Sequence, residues 1–364
     1  MRTPFPCFLF TRYLSTCLLS TCLLVTCLLA SCVPVSPPSL PAPVFFYLRA
    51  PAGASPSIVL QSSPGSGEAA REIALVLPQD CSFWSLSPAP VGPWLAVELQ
   101  CSYGPTLRLL NTRDGTAYAP PGDAGLDSLV LGWSPDGKTV YLKIGTLSNP
   151  QVVRLDAAAR RVRPLPIQPN TYNLSASPDG ARLLYAWSNG MGLGSEIRSA
   201  DAEGNNGQKF MAEAGKILGL MRFAPDGKRV AYVRLPDDQS AFPPAELWLA
   251  DADGTNARRL ADADGGHGLP PVWSPDGSKI AFAGRAQPDD PNSLELAFYD
   301  LSTSQTTATG LALQTPPVWA ADGARVYFTR SIDDKMEVWF YEVSTGKTGS
   351  LFEDACCAGW VGEK

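Results

Sequence analysis

Short β-type apolar runs bounded by turn residues recur along most of this chain. Val140-Tyr141-Leu142, Val230-Ala231-Tyr232-Val233, Ile280-Ala281-Phe282 and Val326-Tyr327-Phe328 each follow an Asp-Gly pair within a few residues. The pair belongs to a repeated motif: Trp133-Ser134-Pro135-Asp136-Gly137, Ala176-Ser177-Pro178-Asp179-Gly180, Phe223-Ala224-Pro225-Asp226-Gly227, Trp273-Ser274-Pro275-Asp276-Gly277 and Trp319-Ala320-Ala321-Asp322-Gly323. The steps from Asp to Asp are 43, 47, 50 and 46 residues. An apolar run, Pro-Asp-Gly and a second β-rich run predict a hairpin. Pro presets φ early in the turn, Asp bonds the backbone ahead, and Gly accepts positive φ. Asp136, Asp179, Asp226, Asp276 and Asp322 are therefore turn residues rather than catalytic ones.

A second hairpin follows in each period, around Asn111–Gly115, Asp201–Asn205, Asp251–Thr255 and Glu342–Lys347, preceded by runs such as Glu246–Ala250 and Glu337–Tyr341. Two hairpins give four strands, a to d. A period of about 40 to 50 residues with that content is the signature of propeller blades. Positions equivalent to Trp133 read as Trp84, Ala176, Phe223, Trp273, Trp319 and Trp360; the first is a degenerate copy, Trp84-Ser85-Leu86-Ser87-Pro88, with Gly92 forty-five residues before Gly137. That makes seven a strands, the last at the end of the chain. Its missing partners are supplied by Val44–Leu48, Ser57–Gln61 and Glu72–Leu77 as b, c and d. The fold expected is an all-β, seven-bladed propeller over 44–364, closed by strands from both ends so that no sheet edge stays open. Six blades is the alternative, if the terminal segments only pad an edge.

The first 31 residues differ in kind. Arg2 and Arg12 are their only charges, and the apolar stretch Leu14–Ala30 is 17 residues long. That is short for a membrane span and right for a signal-peptide core. It ends in Leu29-Ala30-Ser31-Cys32, which resembles the bacterial lipobox, so Cys32 is the expected lipidation site and new N-terminus. Cys17, Cys22 and Cys27 fall in near-copies of one leader pentad and are expected to be discarded with it. The Pro-rich segment 32–43 then reads as a stiff tether between membrane and propeller.

Export permits disulfides. Cys81 on strand a of the first blade is expected to face Cys101 on strand b, within disulfide reach. Cys357 is the alternative partner for Cys81, as a latch between neighbouring blades. Without Arg2 and Arg12, 27 basic residues stand against 35 acidic ones, a net charge near −8. That balance excludes nucleic acid as a natural partner and leaves the acyl anchor as the membrane contact.

Candidate chemistry is sparse. His267 is the sole histidine, so no multi-histidine metal site exists within one chain, and no metal or cofactor is expected. Asp251-Ala252-Asp253-Gly254-Thr255-Asn256 spaces oxygen ligands like half a calcium loop but lacks the closing Glu, and reads better as a hairpin turn. The longer b–c connections carry three acidic pairs, Asp237-Asp238, Asp289-Asp290 and Asp333-Asp334. As loops on a rigid scaffold these six are the candidate binding residues, with solvated loop tips as the plain alternative.

The repeated Trp-Ser-Pro-Asp-Gly followed by an apolar run resembles the WD-repeat-like propeller of TolB-type proteins, from Val44 onward. The resemblance implies a protein-binding platform in the cell envelope. The same repeat forms the gating propeller of prolyl oligopeptidase-like enzymes, but a following hydrolase domain is not expected here, and no family active-site residue has a counterpart. The expectation is a monomeric, non-enzymatic lipoprotein, periplasmic or on the cell surface, that binds an envelope protein or peptide. The alternatives are a sugar- or peptide-processing enzyme using loop or channel carboxylates, and a purely structural surface protein.

Overall fold

The computed structural model describes residues 43–362 apart from 66–70, 121–126, 147, 191 and 239–241. The leader, Cys32 and the tether up to residue 42 lie outside the described residues. Seven four-stranded antiparallel sheets form the blades. Their inner strands are Cys81–Pro88, Asp127–Trp133, Thr171–Ala176, Lys216–Phe223, Val272–Trp273, Val318–Trp319 and Ala355–Val361, in blades 1 to 7. Blade 7 joins that last strand to Val44–Arg49, Ser57–Gln61 and Arg71–Ala74 from the other end of the chain. Phe45 faces Trp360 and Val44 faces Val361 across the closure.

The repeated motif builds the a–b turn as its residue types predict. In blade 2, Gly137 sits at φ 66° and its N–H donates to the Ser134 carbonyl at 2.9 Å. Ser134 Oγ donates to Asp136 Oδ1 at 2.6 Å, and the same oxygen accepts from Lys138 N at 3.1 Å. Blades 3 and 5 repeat these bonds through Ser177–Asp179 and Ser274–Asp276. The Ser177 and Ser274 hydroxyls, followed by backbone N–H donors, hold the Asp179 and Asp276 carboxyls below their usual range. The c–d turns use the same device: Asp251 accepts Asn256 Nδ2 at 2.6 Å, and its N–H donates to the Thr255 carbonyl. The calcium-like spacing at 251–256 is thus a hairpin turn.

Blades are locked to one another by the motif's aromatic residue. Trp273, Trp319 and Trp360 indole N–H groups donate to the carbonyls of Arg222, Val272 and Trp319 in the preceding blade, at 3.0 to 3.1 Å. Each ring packs in the apolar layer between two blades; Trp319, for example, meets Phe298 edge-on at 5.7 Å. Such a buried ring satisfies its one donor while filling the seam.

The first blade departs from the expected alignment. Ala89 N donates to Trp94 O, as Ser134 N does to Thr139 O. Pro88, rather than Trp84, therefore occupies the position of Trp133. Trp84 lies four residues earlier on the inner strand and is 66% exposed.

Candidate functional site

The ring has two unlike faces. The a–b and c–d turns form a turn face of short, repetitive, internally bonded hairpins. The b–c and d–a connections form a loop face. Among the described residues the exposed large apolar side chains are Val76, Trp84, Tyr103, Leu129, Tyr172, Leu193, Phe242 and Met336. All eight lie in b–c or d–a connections or in the strand halves that adjoin them. Isolated exposed apolar residues need no explanation, but their confinement to one face does.

Three of them share one repeat position. Trp84, Leu129 and Tyr172 each stand four residues before the end of the motif's first strand, in blades 1, 2 and 3. In blade 4 that position is Gly219, and a Cβ there would come within 2.9 Å of the Tyr172 ring. Tyr172 thus lies across the next inner strand, its hydroxyl donating to Leu218 O at 2.7 Å beside Ser195 Oγ. Burial pushes its phenol up to about 12. Glu98 sits next to this row on strand b of blade 1. It accepts from Ser85 Oγ and from Val130 N, the latter at 2.9 Å, so it ties the inner strands of blades 1 and 2. Burial, opposed by these bonds, leaves its carboxyl above the usual range.

The six acidic-pair residues fall on the loop face but stay on separate loops with local duties. Asp237 Oδ2 accepts Gly194 N at 2.7 Å, tying the loops of blades 3 and 4; Asp238 beside it is exposed. Asp290 Oδ1 caps Asn292 N at 2.9 Å, while Asp289 is exposed. Asp333 and Asp334 both take positive φ, 47° and 63°, between the paired Ile332 and Lys335. They form a two-residue hairpin turn that favours short polar residues. Among the described residues no group of three or more His, Cys, Asp or Glu side chains is placed to hold a metal ion.

The same region holds a constellation that sequence reasoning missed. Asp264, fully buried at its side chain, accepts Arg285 Nε and Nη2 on Oδ1 at 3.0 and 2.8 Å. Its other oxygen faces His267 Nδ1 at 3.0 Å and accepts the His267 N–H at 3.1 Å. The imidazole stacks on Phe242 at 4.5 Å, and Arg285 also binds the Phe242 and Pro243 carbonyls. A carboxylate fixed by Arg285 therefore orients the sole histidine at the edge of the exposed face. Asp262-Ala263-Asp264 followed by a glycine-rich turn was its only trace in the sequence, since Arg285 joins from the next blade.

Charge clusters elsewhere brace the blades. Arg234 bridges Glu213 and Glu246, both at 2.5 Å, and Trp248 Nε1 donates to Glu246. Blade 6 repeats only the tryptophan part of it, with Arg330 stacked on Trp339 at 4.5 Å and Trp339 Nε1 donating to Glu337. The cysteines gather where the ring closes. Cys81 and Cys101 are paired across strands a and b and joined as a disulfide, with Cα atoms 4.0 Å apart. Cys356 and Cys357 are free and pack against the same apolar cluster. The adjacent Cys356 thiol, reinforced by burial, pushes the Cys357 thiol up.

No protein-family model and no curated protein matches the chain. Solved structures do match. TolB from Acinetobacter baumannii covers 87% of this chain and 82% of its own, at 16% identity and a TM-score of 0.50. An oligogalacturonate lyase in complex with manganese covers 85% of each chain, at 15% identity and TM-score 0.55. A puromycin-hydrolyzing peptidase of Mycobacterium tuberculosis covers 85% of this chain but 53% of its own length, at 17% identity and TM-score 0.59. At such identities the likeness is one of fold. It corrects the expectation of a non-enzymatic chain, because the same propeller is shared by a lyase and a peptidase as well as by TolB. The chain is a seven-bladed β-propeller similar in fold to TolB.

Proposed function

We propose that the chain is a lipid-anchored extracytoplasmic propeller whose loop face binds an envelope protein or peptide. The observation that carries this reading is the confinement of all eight exposed large apolar side chains to that face. Rings such as Trp84, Tyr103, Tyr172 and Phe242 offer large contact area at low entropic cost, as binding surfaces do. Behind them stands a scaffold fixed by interblade indole bonds. The leader and Cys32 support a membrane anchor, from which a tether over 32–43 would give the propeller freedom to meet a partner. The acidic pairs lie on the same face and favour a partner with basic groups.

The test is site-specific photo-crosslinking of the full-length anchored chain in its native membranes. A crosslinker at Leu129 on the loop face is expected to give a discrete adduct, and one at Ser278 on the turn face none. No adduct at Leu129, Tyr103 or Phe242 rejects the reading.

One observation favours a second reading. The Arg285–Asp264–His267 chain has the base-and-orienter half of a catalytic apparatus. Turnover of a peptide or acidic oligosaccharide substrate that is lost in His267→Ala but retained in Asp290→Asn would establish it.

A further inference from the structure

Arg222 is a basic side chain of an inner strand for which the described residues supply no anion. It precedes Phe223 on the inner strand of blade 4. Met221 and Phe223 both enter the apolar layer shared with blade 3, so Arg222 leaves the strand on the opposite side. The equivalent position in blade 2 is Gly132, where a Cβ would run within 2.5 Å of Leu174 O on the next inner strand. A side chain at this position therefore projects toward the next inner strand. The guanidinium is crowded by protein yet still reached by solvent, as expected of a group lining a narrow central channel.

Its hydrogen bonding is nearly empty. Nη1 donates to the carbonyl of Met221, its own neighbour, at 2.8 Å. Among the described residues it forms no ion pair, whereas Arg154, Arg198, Arg229, Arg234, Arg259, Arg285 and Arg325 each have a carboxylate within 4 Å. Desolvation with no compensating charge pushes Arg222 down to about 10, in contrast to Arg234, which its two glutamates push up. A guanidinium has five donors in a planar fork, and among the described residues only Met221 O accepts from this one, the remaining donors facing solvent.

We propose that Arg222 is an oxyanion-binding residue of the central channel, taking the carboxylate or phosphate group of a small ligand that enters from the loop face. The fork matches both groups bidentately. It lies three residues beyond Gly219, the blade 4 member of the row formed by Trp84, Leu129 and Tyr172; a bulge sets those three residues against two on strand b, a span of roughly 7 Å. A ligand with an acidic end and a flat or apolar body spans that distance with its acid downward. Only the Arg222 end stands apart from the partner-binding reading, since the row of Trp84, Leu129 and Tyr172 belongs to both; titration with a small anion reads Arg222 without a partner.

The experiment titrates the full chain with inorganic phosphate, and separately with acetate, at constant ionic strength held by chloride. Because phosphate stabilises most folded proteins slightly, the readout is the difference between wild type and Arg222→Gln. The wild-type melting midpoint is expected to rise saturably by a few degrees, with Arg222→Gln flat and Arg222→Lys showing a weaker rise. Parallel, unsaturable shifts in wild type and Arg222→Gln overturn the proposal. Should Arg222→Gln not fold, calorimetric titration of the wild type decides: saturable binding that Arg222→Lys weakens sustains it, and no saturable heat with either anion refutes it. A response to phosphate alone assigns a phosphorylated ligand, and a response to acetate alone a carboxylate.

Discussion

Trp319 and Trp84 are the same residue type on inner strands of one ring, and almost nothing else about them agrees. Trp319 is 6% exposed, donates to Val272 O, and packs against Phe298 in the seam between blades 5 and 6. Trp84 is 66% exposed, at the channel end that opens on the loop face. The first belongs to the repeating machinery that closes the ring, the second to a surface where the repeat has been abandoned. The turn face shows the same discipline as Trp319: polar groups bonded within a few residues, glycines at positive φ, and little variation between blades. The loop face shows the opposite, with exposed rings and a histidine held by a buried carboxylate. Stability is concentrated in the former, and the features suited to recognition in the latter.

That contrast breaks most sharply under substitution. Trp319→Ala removes a buried ring and orphans a carbonyl, and is expected to cost about 3–5 kcal/mol in denaturant unfolding. Trp84→Ala is expected to stay within about 0.5 kcal/mol of wild type. Equal losses would erase the distinction. Next in size is the disulfide of blade 1: Cys81→Ser with Cys101→Ser should lose about 2–4 kcal/mol, and peptide mapping of the wild type without reductant should recover the two as one linked pair. Gly219→Ala drives a methyl into the Tyr172 ring and should cost about 1–3 kcal/mol. Most of that loss should vanish in a Tyr172→Ala background, which a double-mutant cycle reads directly.

The smallest effect is in acid. Hydrogen bonds hold the Asp276 carboxyl below its unfolded value, so the folded state binds fewer protons there. Its contribution is present above about pH 4 and is lost as the pH falls through the lowered folded value. Asp276→Asn should flatten the acid limb of the stability curve and leave the neutral region little changed. The outcome against this is an acid limb as steep as that of wild type.

The ring was legible because its period is written in turn chemistry, which is local. Pro, Asp and Gly act within five residues, so Asp136 or Asp276 can be assigned without knowing what packs above them. The closure at Val44–Leu48 was legible for a related reason: an inner strand with no room left for its partners demands them from elsewhere. Blade 1 misled because tryptophan identity was given more weight than spacing. Gly92, forty-five residues before Gly137, already marked the turn, and counting back from it reaches Pro88. The site was less legible for a physical reason. Arg285 meets Asp264 from the next blade, Tyr172 covers Gly219 across a seam, and the surroundings of Arg222 are set by a ring no local pattern describes. Aspartate pairs stand out in a sequence, yet Asp333 and Asp334 serve as hairpin-turn residues.

The central claim is that the loop face is the working surface. The most direct test combines Trp84→Ser, Tyr103→Ser and Leu129→Ser in one full-length chain, read for both unfolding and partner crosslinking through Phe242. The account predicts an unfolding midpoint close to wild type and a crosslinked adduct that is lost or strongly reduced. A chain that unfolds early, or one that keeps its adduct unchanged, would contradict it.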